Sequence, residues 1–113
     1  MHPDTPKYLW DVQTALSHIA RFTSGKSFED YASDLMCKSA VERQLEIIGE
    51  ALNALARKDP EAAAKVPDLP RIVGLRNVLI HGYASVDDEL VWGVVTGKLA
   101  SLQQSISALG ADL

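Results

Sequence analysis

Apolar residues recur along much of the chain at intervals of three and four, which places them on one face of an α-helix. A first helix is predicted over about residues 5–24, and Gly25 is expected to end it, because glycine readily takes the left-handed turn after a helix. A capping pattern at Ser27 predicts a short helix over residues 28–32. The next apolar stripe is wide, and it predicts a central helix over residues 34–57 that is covered on more than one side.

Prolines interrupt the second half of the chain before its helices resume. A single helical turn is predicted over residues 61–65, followed by a helix over about residues 70–81. The last helix is predicted to begin at a cap, Ser85 or Asp87, and to end at Gly110. Since the sequence shows no strand pattern and no internal repeat, the predicted fold class is all-α, a four-to-five-helix bundle formed by the whole chain as one domain.

Four residues indicate how these helices pack. Gly49 lies inside the long helix, where glycine costs about 1 kcal/mol relative to alanine, so we expect another helix to approach closely there. Trp10 and Trp92 are expected to be core aromatics. The single cysteine, Cys37, is expected to be a small buried hydrophobe.

Composition and charge narrow the possible functions. The 113 residues are 47% hydrophobic, which is typical of a globular protein. A net charge of -4 argues against a general nucleic-acid binder, although a basic patch could still lie in a cleft. No signal-peptide pattern is visible and no apolar run approaches the ~20 residues that span a bilayer, so a cytoplasmic protein without a membrane partner is expected.

One segment, residues 74–83, carries groups suited to chemistry. Asn77 and His81 lie one turn apart on one face of the predicted helix, and Arg76 and Tyr83 would share a second face. At about 100° per residue, Arg76 and His81 point about 140° apart. One helix does not focus them on a single point. A long arginine side chain can wrap around the helix, Gly82 can bend its end, or a two-fold dimer can bring two copies of each group into one cleft. We expect the dimer, helped by the reach of the arginine.

These residue types support metal-independent cleavage of RNA. His81 can accept or donate a proton near neutral pH, and Arg76 can hold a phosphate and stabilise the charge of the transition state. Asn77 could orient either group or donate to a phosphate oxygen. The nucleophile would be the 2′-hydroxyl of the RNA, so no cofactor or metal is expected, and the three histidines are scattered. The alternative is structural: a salt-bridged arginine, a capping histidine and a core tyrosine (Tyr83).

The segment Arg76-Asn77-Val78-Leu79-Ile80-His81-Gly82-Tyr83 resembles the motif R-N-x-x-x-H-x-Y of the HepT-like branch of the HEPN superfamily. The resemblance extends over nearly the whole chain, in the same order. It includes Tyr8-Leu9-Trp10-Asp11, Phe22-Thr23, Ser27-Phe28, Gln44-Leu45-Glu46-Ile47-Ile48-Gly49-Glu50-Ala51, Val86-Asp87 and Val91-Trp92. Many relatives have aspartate or another polar residue where Gly82 stands.

The resemblance implies an α-helical homodimer whose active site lies at the interface. It implies a ribonuclease toxin, encoded beside a minimal nucleotidyltransferase antitoxin that can transfer AMP to the motif tyrosine, here Tyr83. Arg76 and His81 carry over as catalytic residues and Asn77 as a supporting residue. An alternative is a non-catalytic helical partner subunit of a nucleotidyltransferase, and a further one is a plain dimeric scaffold.

Two acids also match family positions. Glu46 and Glu50 are expected to be helix-buried acids that pair with arginines such as Arg43 or Arg76, and no chemistry is assigned to them.

Overall fold

The computed structural model describes residues 1–81 and 86–113, and seven helices and no strands lie within them. In chain order they are α1 (Thr5–Thr23), α2 (Phe28–Ala32), α3 (Leu35–Lys58), α4 (Pro60–Ala63), α5 (Leu69–Ile80), α6 (Asp88–Gly97) and α7 (Leu99–Ala111). The all-α class is therefore confirmed, with more helices than the four or five predicted. None of these helices is both long enough and apolar enough to cross a membrane.

Local capping explains where several helices begin and end. Ser27 and Asp30 form a complete capping box, in which each side chain accepts a hydrogen bond from the other's backbone N–H, and α2 follows at the predicted residues. The Asp34 carboxylate accepts from the Cys37 backbone N–H at the start of α3. Gly25 has a φ of 72°, which glycine adopts at little cost, and the chain turns there after α1.

The long helix α3 is the centre of the fold. It packs against α1 on one side and α5 on another, as its wide apolar stripe predicts. Five of its side chains are fully shielded from solvent: Val41, Leu45, Ile48, Leu52 and Leu55. Burying each such side chain contributes about 1.5–3 kcal/mol, so α3 holds α1 and α5 in fixed positions relative to each other.

A buried carboxylate joins the N-terminus to the corner between α3 and α4. Asp59 accepts hydrogen bonds from the Thr5 hydroxyl at 2.7 Å, the Ala62 backbone N–H at 3.1 Å and the His2 backbone N–H at 3.2 Å. These hydrogen bonds lower the pKa of Asp59, and the bond from Thr5 has the largest effect. The corner is thus stabilised by the ionised form of one acid.

Two predictions about the last helix are wrong. The chain departs from helical geometry at Lys98, where φ is -119°, so the predicted helix is divided into α6 and α7. The poor helix former Gly97 immediately precedes this break. Gly110 does not end the helix, which continues to Ala111. Of the two predicted caps, Asp87 caps α6, because its carboxylate accepts from two backbone N–H groups of the first turn, and Ser85 lies outside the described residues.

The two tryptophans differ in outcome, since Trp92 packs against the core as predicted and Trp10 does not. Trp10 is 64% exposed and is not a core residue, because it lies next to Leu9 and is rotated by about 100° from the buried stripe of α1. Trp92 is half-buried, and its ring centroid lies 5.0 Å from that of the fully buried Tyr31. Cys37 is buried, as predicted.

Candidate active site

The candidate active site lies on α5, which is seated on α3 by its apolar face. Leu69, Ile72 and Leu75 are the buried residues of α5. Arg76 comes one turn after Ile72 and therefore continues the face that contacts α3. Asn77, one residue further round the helix, is exposed.

The half-buried Arg76 lies against the backbone of α3 at Gly49. A Cβ atom built on Gly49 would overlap the Arg76 Cβ and would lie 2.7 Å from its Cγ and 3.5 Å from the carbonyl oxygen of Ile72. Only a residue without a side chain fits at this crossing. The predicted close approach of a second helix at Gly49 is confirmed, and the residue that approaches is the arginine of the motif.

The guanidinium of Arg76 has a neutral partner. Its Nη1 donates to the Asn77 side-chain oxygen at 3.0 Å. Its Nε is buried and has no hydrogen-bond partner among residues 1–81 and 86–113. Since Asn77 carries no charge, its hydrogen bond orients the guanidinium without neutralising it.

His81 ends α5. Its backbone N–H donates to the Asn77 carbonyl oxygen at 3.2 Å, and the residue is exposed. Asn77 and His81 are thus neighbours on the solvent side of the helix, whereas the stem of Arg76 turns toward α3. The fourth residue of the motif, Tyr83, lies outside the described residues.

The two acids of the family-like segment on α3 differ from each other. Glu46 Oε1 lies 4.0 Å from Arg43 Nη1, so the expected pairing with an arginine is found there. Glu50 is exposed, and the expectation that it is a buried acid is wrong. It follows Gly49 directly and is rotated by about 100° away from the face that meets α5.

A polar cluster near the start of α6 was not predicted from the sequence. Lys38 Nζ contacts Asp88 Oδ2 at 3.1 Å, and both side chains are about three-quarters buried. Burial, and then the charge of Asp88, raise the pKa of Glu42. The Tyr31 hydroxyl is buried beside this cluster without a partner among the described residues, and burial raises its pKa. These groups come from α2, α3 and α6, so only the fold brings them together.

Within the described part of the chain, no group of three or more His, Cys, Asp or Glu side chains is placed to hold a metal ion.

Comparison with known proteins identifies the class to which this helical chain belongs. The family model described as "Ribonuclease HepT-like" matches residues 12–109, which include the whole Arg76 to Tyr83 segment. The chain belongs to the HepT-like ribonuclease family. No solved structure matches it.

Named relatives cover nearly the full length of the chain. A protein of Thermococcus cleftensis named "Probable ribonuclease HepT" is 34% identical over 105 residues, which is 90% of this chain and 92% of the relative. A protein of Methanocaldococcus jannaschii named "Putative RNase" is 31% identical, over 91% of this chain and 94% of the relative. One of Caldanaerobacter subterraneus subsp. tengcongensis with the same name is 32% identical, over 93% and 94%.

Proposed function

We propose that this protein is a metal-independent RNA endonuclease in which Arg76 and His81 are catalytic and Asn77 supports Arg76. The observation that carries the proposal is the environment of Arg76. Its guanidinium is half-buried, and in the part of the chain that the structure describes it bonds to a neutral amide and to no carboxylate. A half-buried structural arginine would pair with an acid, because charged side chains are rarely buried without a partner. A fixed and uncompensated cation is instead suited to a phosphate group.

The reaction follows from the groups available. The 2′-hydroxyl oxygen of the RNA attacks the adjacent phosphorus, and the bond from phosphorus to the 5′ oxygen breaks, leaving a cyclic 2′,3′-phosphate and a free 5′-hydroxyl. One His81 accepts the proton of the attacking hydroxyl, and a second His81 donates a proton to the leaving oxygen. Arg76 stabilises the added negative charge on the phosphorus oxygens.

A two-fold dimer supplies that second histidine. Arg76 turns toward α3 while His81 lies at the exposed end of α5, which supports a cleft built from two copies of the motif helix. The exposed Trp10 lines a groove between α1 and α3 together with Ala15 and Ile47, and a partner could cover this apolar surface. Light scattering at micromolar concentration is expected to give twice the monomer mass, and a monomer alone would contradict this part of the proposal.

The proposed biological role is that of a toxin neutralised by a nucleotidyltransferase antitoxin. Family membership and the matching motif support this role. AMP transferred to Tyr83 would place a phosphate two residues from His81, where it would occupy Arg76 and repel an incoming RNA strand.

Two substitutions test the catalytic assignment. Arg76→Ala and His81→Ala should each lower the RNA cleavage rate by about 10²–10⁴-fold, because the first removes the cation that stabilises the transition state and the second removes the proton acceptor and donor. Both variants should keep the helical circular dichroism signal. Arg71→Ala is the matched control, since it removes an exposed positive charge from the same helix and should cleave at nearly the wild-type rate.

Cleavage should also persist in EDTA. Full activity in His81→Ala, or a strict need for a divalent metal, would contradict the mechanism. A folded wild-type protein that binds the antitoxin but cuts no RNA would instead support the role of a non-catalytic partner subunit.

A further inference from the structure

The crossing of α3 and α5 coincides with the proposed catalytic arginine. The two nearest atoms to a Cβ built on Gly49 are the Cβ and Cγ of Arg76, and the third is a backbone oxygen of the same helix. The Arg76 Cβ is attached directly to the α5 backbone, so a change of side-chain rotamer cannot move it away. Any side chain at position 49 must therefore displace α5 relative to α3, and the stem of Arg76 moves with the helix.

The other described helical glycines make a clear contrast. Gly74 lies on α5 itself, two residues before Arg76, and a Cβ built there meets nothing within 4 Å. The same holds for Gly93 on α6. The need for glycine at position 49 is therefore explained by its neighbour Arg76, and not by helix flexibility or composition.

An arginine stem is an unusual side chain to receive at a helix crossing. Arginine has four rotatable side-chain bonds, and an exposed one samples many orientations. The absence of a side chain at Gly49 lets the first two carbons of Arg76 lie flat on α3, and the Asn77 oxygen holds its far end. The two contacts fix both ends of the side chain before any RNA arrives.

We propose that Gly49 is a positioning residue for Arg76: the bare backbone at Gly49 seats the arginine stem and sets the direction of its guanidinium. This inference rests on the proposed function for its effect on catalysis, but the contact itself can be tested without any RNA.

The activity test compares two glycine substitutions that add the same methyl group. Gly49→Ala should lower the cleavage rate by about 10²-fold, since a displacement of about 1 Å in a catalytic group has effects of that size. Gly74→Ala should retain the wild-type rate and should be more stable, because alanine is the better helix former. The pH dependence of the remaining Gly49→Ala activity should keep its shape, since His81 is not touched by the substitution.

A spectroscopic readout follows Arg76 directly. The Nε–H of Arg76 is buried, so its NMR signal should be protected from exchange with water, and its loss in Arg76→Lys assigns it. That signal should shift or broaden in Gly49→Ala and stay in place in Gly74→Ala. An unchanged Nε–H signal in a folded Gly49→Ala protein would overturn the proposal.

A double-mutant cycle covers the case in which Gly49→Ala does not fold. Arg76→Gly removes the Cβ that a side chain at position 49 would meet, and leaves the Ile72 oxygen at an ordinary contact distance. Gly49→Ala should therefore lower the melting temperature in the wild-type background and raise it in the Arg76→Gly background. An equal loss in both backgrounds would show that the forbidden contact is not with Arg76, and would overturn the inference.

The two ideas fail in distinguishable ways. If Arg76→Ala cleaves RNA at the wild-type rate, the proposed function is wrong, whereas the melting temperatures still decide the contact. If Arg76→Ala is inactive and Gly49→Ala is fully active, the catalytic assignment stands and the positioning role of Gly49 is wrong.

Discussion

Replacing Asn77 with alanine should lower the activity of the protein and change its stability only slightly. Asn77 is exposed, and its side-chain oxygen accepts the hydrogen bond of Arg76 Nη1 at 3.0 Å. Alanine is the better helix former by about half a kcal/mol, which offsets part of the lost hydrogen bond, so the free energy of unfolding should fall by less than about 1 kcal/mol. The guanidinium, however, loses the contact that holds its far end.

The size of the activity loss follows from the value of that hydrogen bond. Intramolecular hydrogen bonds contribute about 0.5–1.5 kcal/mol net, and water competes for an exposed one, so about 1 kcal/mol is a reasonable value here. Since 1.4 kcal/mol corresponds to a factor of ten, the cleavage rate of Asn77→Ala should fall about five-fold. The assay is single-turnover cleavage of a fluorescent single-stranded RNA, measured beside thermal unfolding.

A second substitution separates orientation from charge. Asn77→Asp keeps the shape and the acceptor oxygen, and should bind Arg76 more tightly, but its carboxylate neutralises the guanidinium and repels the RNA phosphate. Its rate should therefore lie well below that of Asn77→Ala. Gln104→Ala is the control, because it removes an exposed helical amide far along the chain on α7. The interpretation of Arg76 as an uncompensated cation is refuted if Asn77→Asp cleaves as fast as wild type.

Three further outcomes are expected. Tyr83→Phe should still cleave RNA but gain no AMP mass when incubated with the antitoxin and ATP, and an equal mass gain would place the acceptor elsewhere. Glu42→Gln should raise the melting temperature at neutral pH, because burial and the charge of Asp88 disfavour the ionised form of Glu42 and so raise its pKa. The gain over the wild type should fade as the pH falls through that raised pKa. Thr5→Val should lower the melting temperature at neutral pH, because the Thr5 hydroxyl stabilises the ionised form of Asp59 and so lowers its pKa. The difference in melting temperature from the wild type should fade as the pH falls through the folded pKa of Asp59. A difference that stays constant with pH would contradict this.

Local signals in the sequence predict most of the helices because capping and turns depend on neighbouring residues. The short helix α2 lies at the predicted residues since its capping box involves only Ser27 and Asp30. The break at Lys98 was missed because the apolar spacing of three and four continues across it. Gly97 was the available signal, but a single glycine is often tolerated within a helix.

Contacts between helices are harder to predict from the spacing of apolar residues than the helices themselves. The stripe on α1 gives its buried face correctly, yet tryptophan was assigned to the core by residue type, and Trp10 lies one position outside the stripe. Periodicity shows which face of a helix is buried and not which helix covers it. For the same reason Gly49 could be predicted to mark a close approach, while its neighbour Arg76 is known only from the structure.

In the candidate site, too, the spacing of residues along one helix could be predicted from the sequence, and the contact between two neighbouring side chains could not. Spacing alone places Asn77 and His81 on one face, and the structure agrees because His81 caps α5 one turn after Asn77. The bond between Arg76 and Asn77 joins adjacent residues that point about 100° apart, so helical geometry gave no reason to expect it.

The net charge of the chain explains why such positioning matters for the proposed reaction. Proteins that bind nucleic acid through an overall basic surface gain affinity from many loosely placed cations. A chain with a net charge of -4 repels RNA at long range, so each Arg76 must act through its location. Gly49 contacts the Arg76 side chain at its base and Asn77 at its guanidinium, and in our proposal these two contacts position the charge. The same reasoning explains how one AMP group on Tyr83 could suffice for neutralisation, because a site that depends on one accurately placed charge is lost when that charge is occupied.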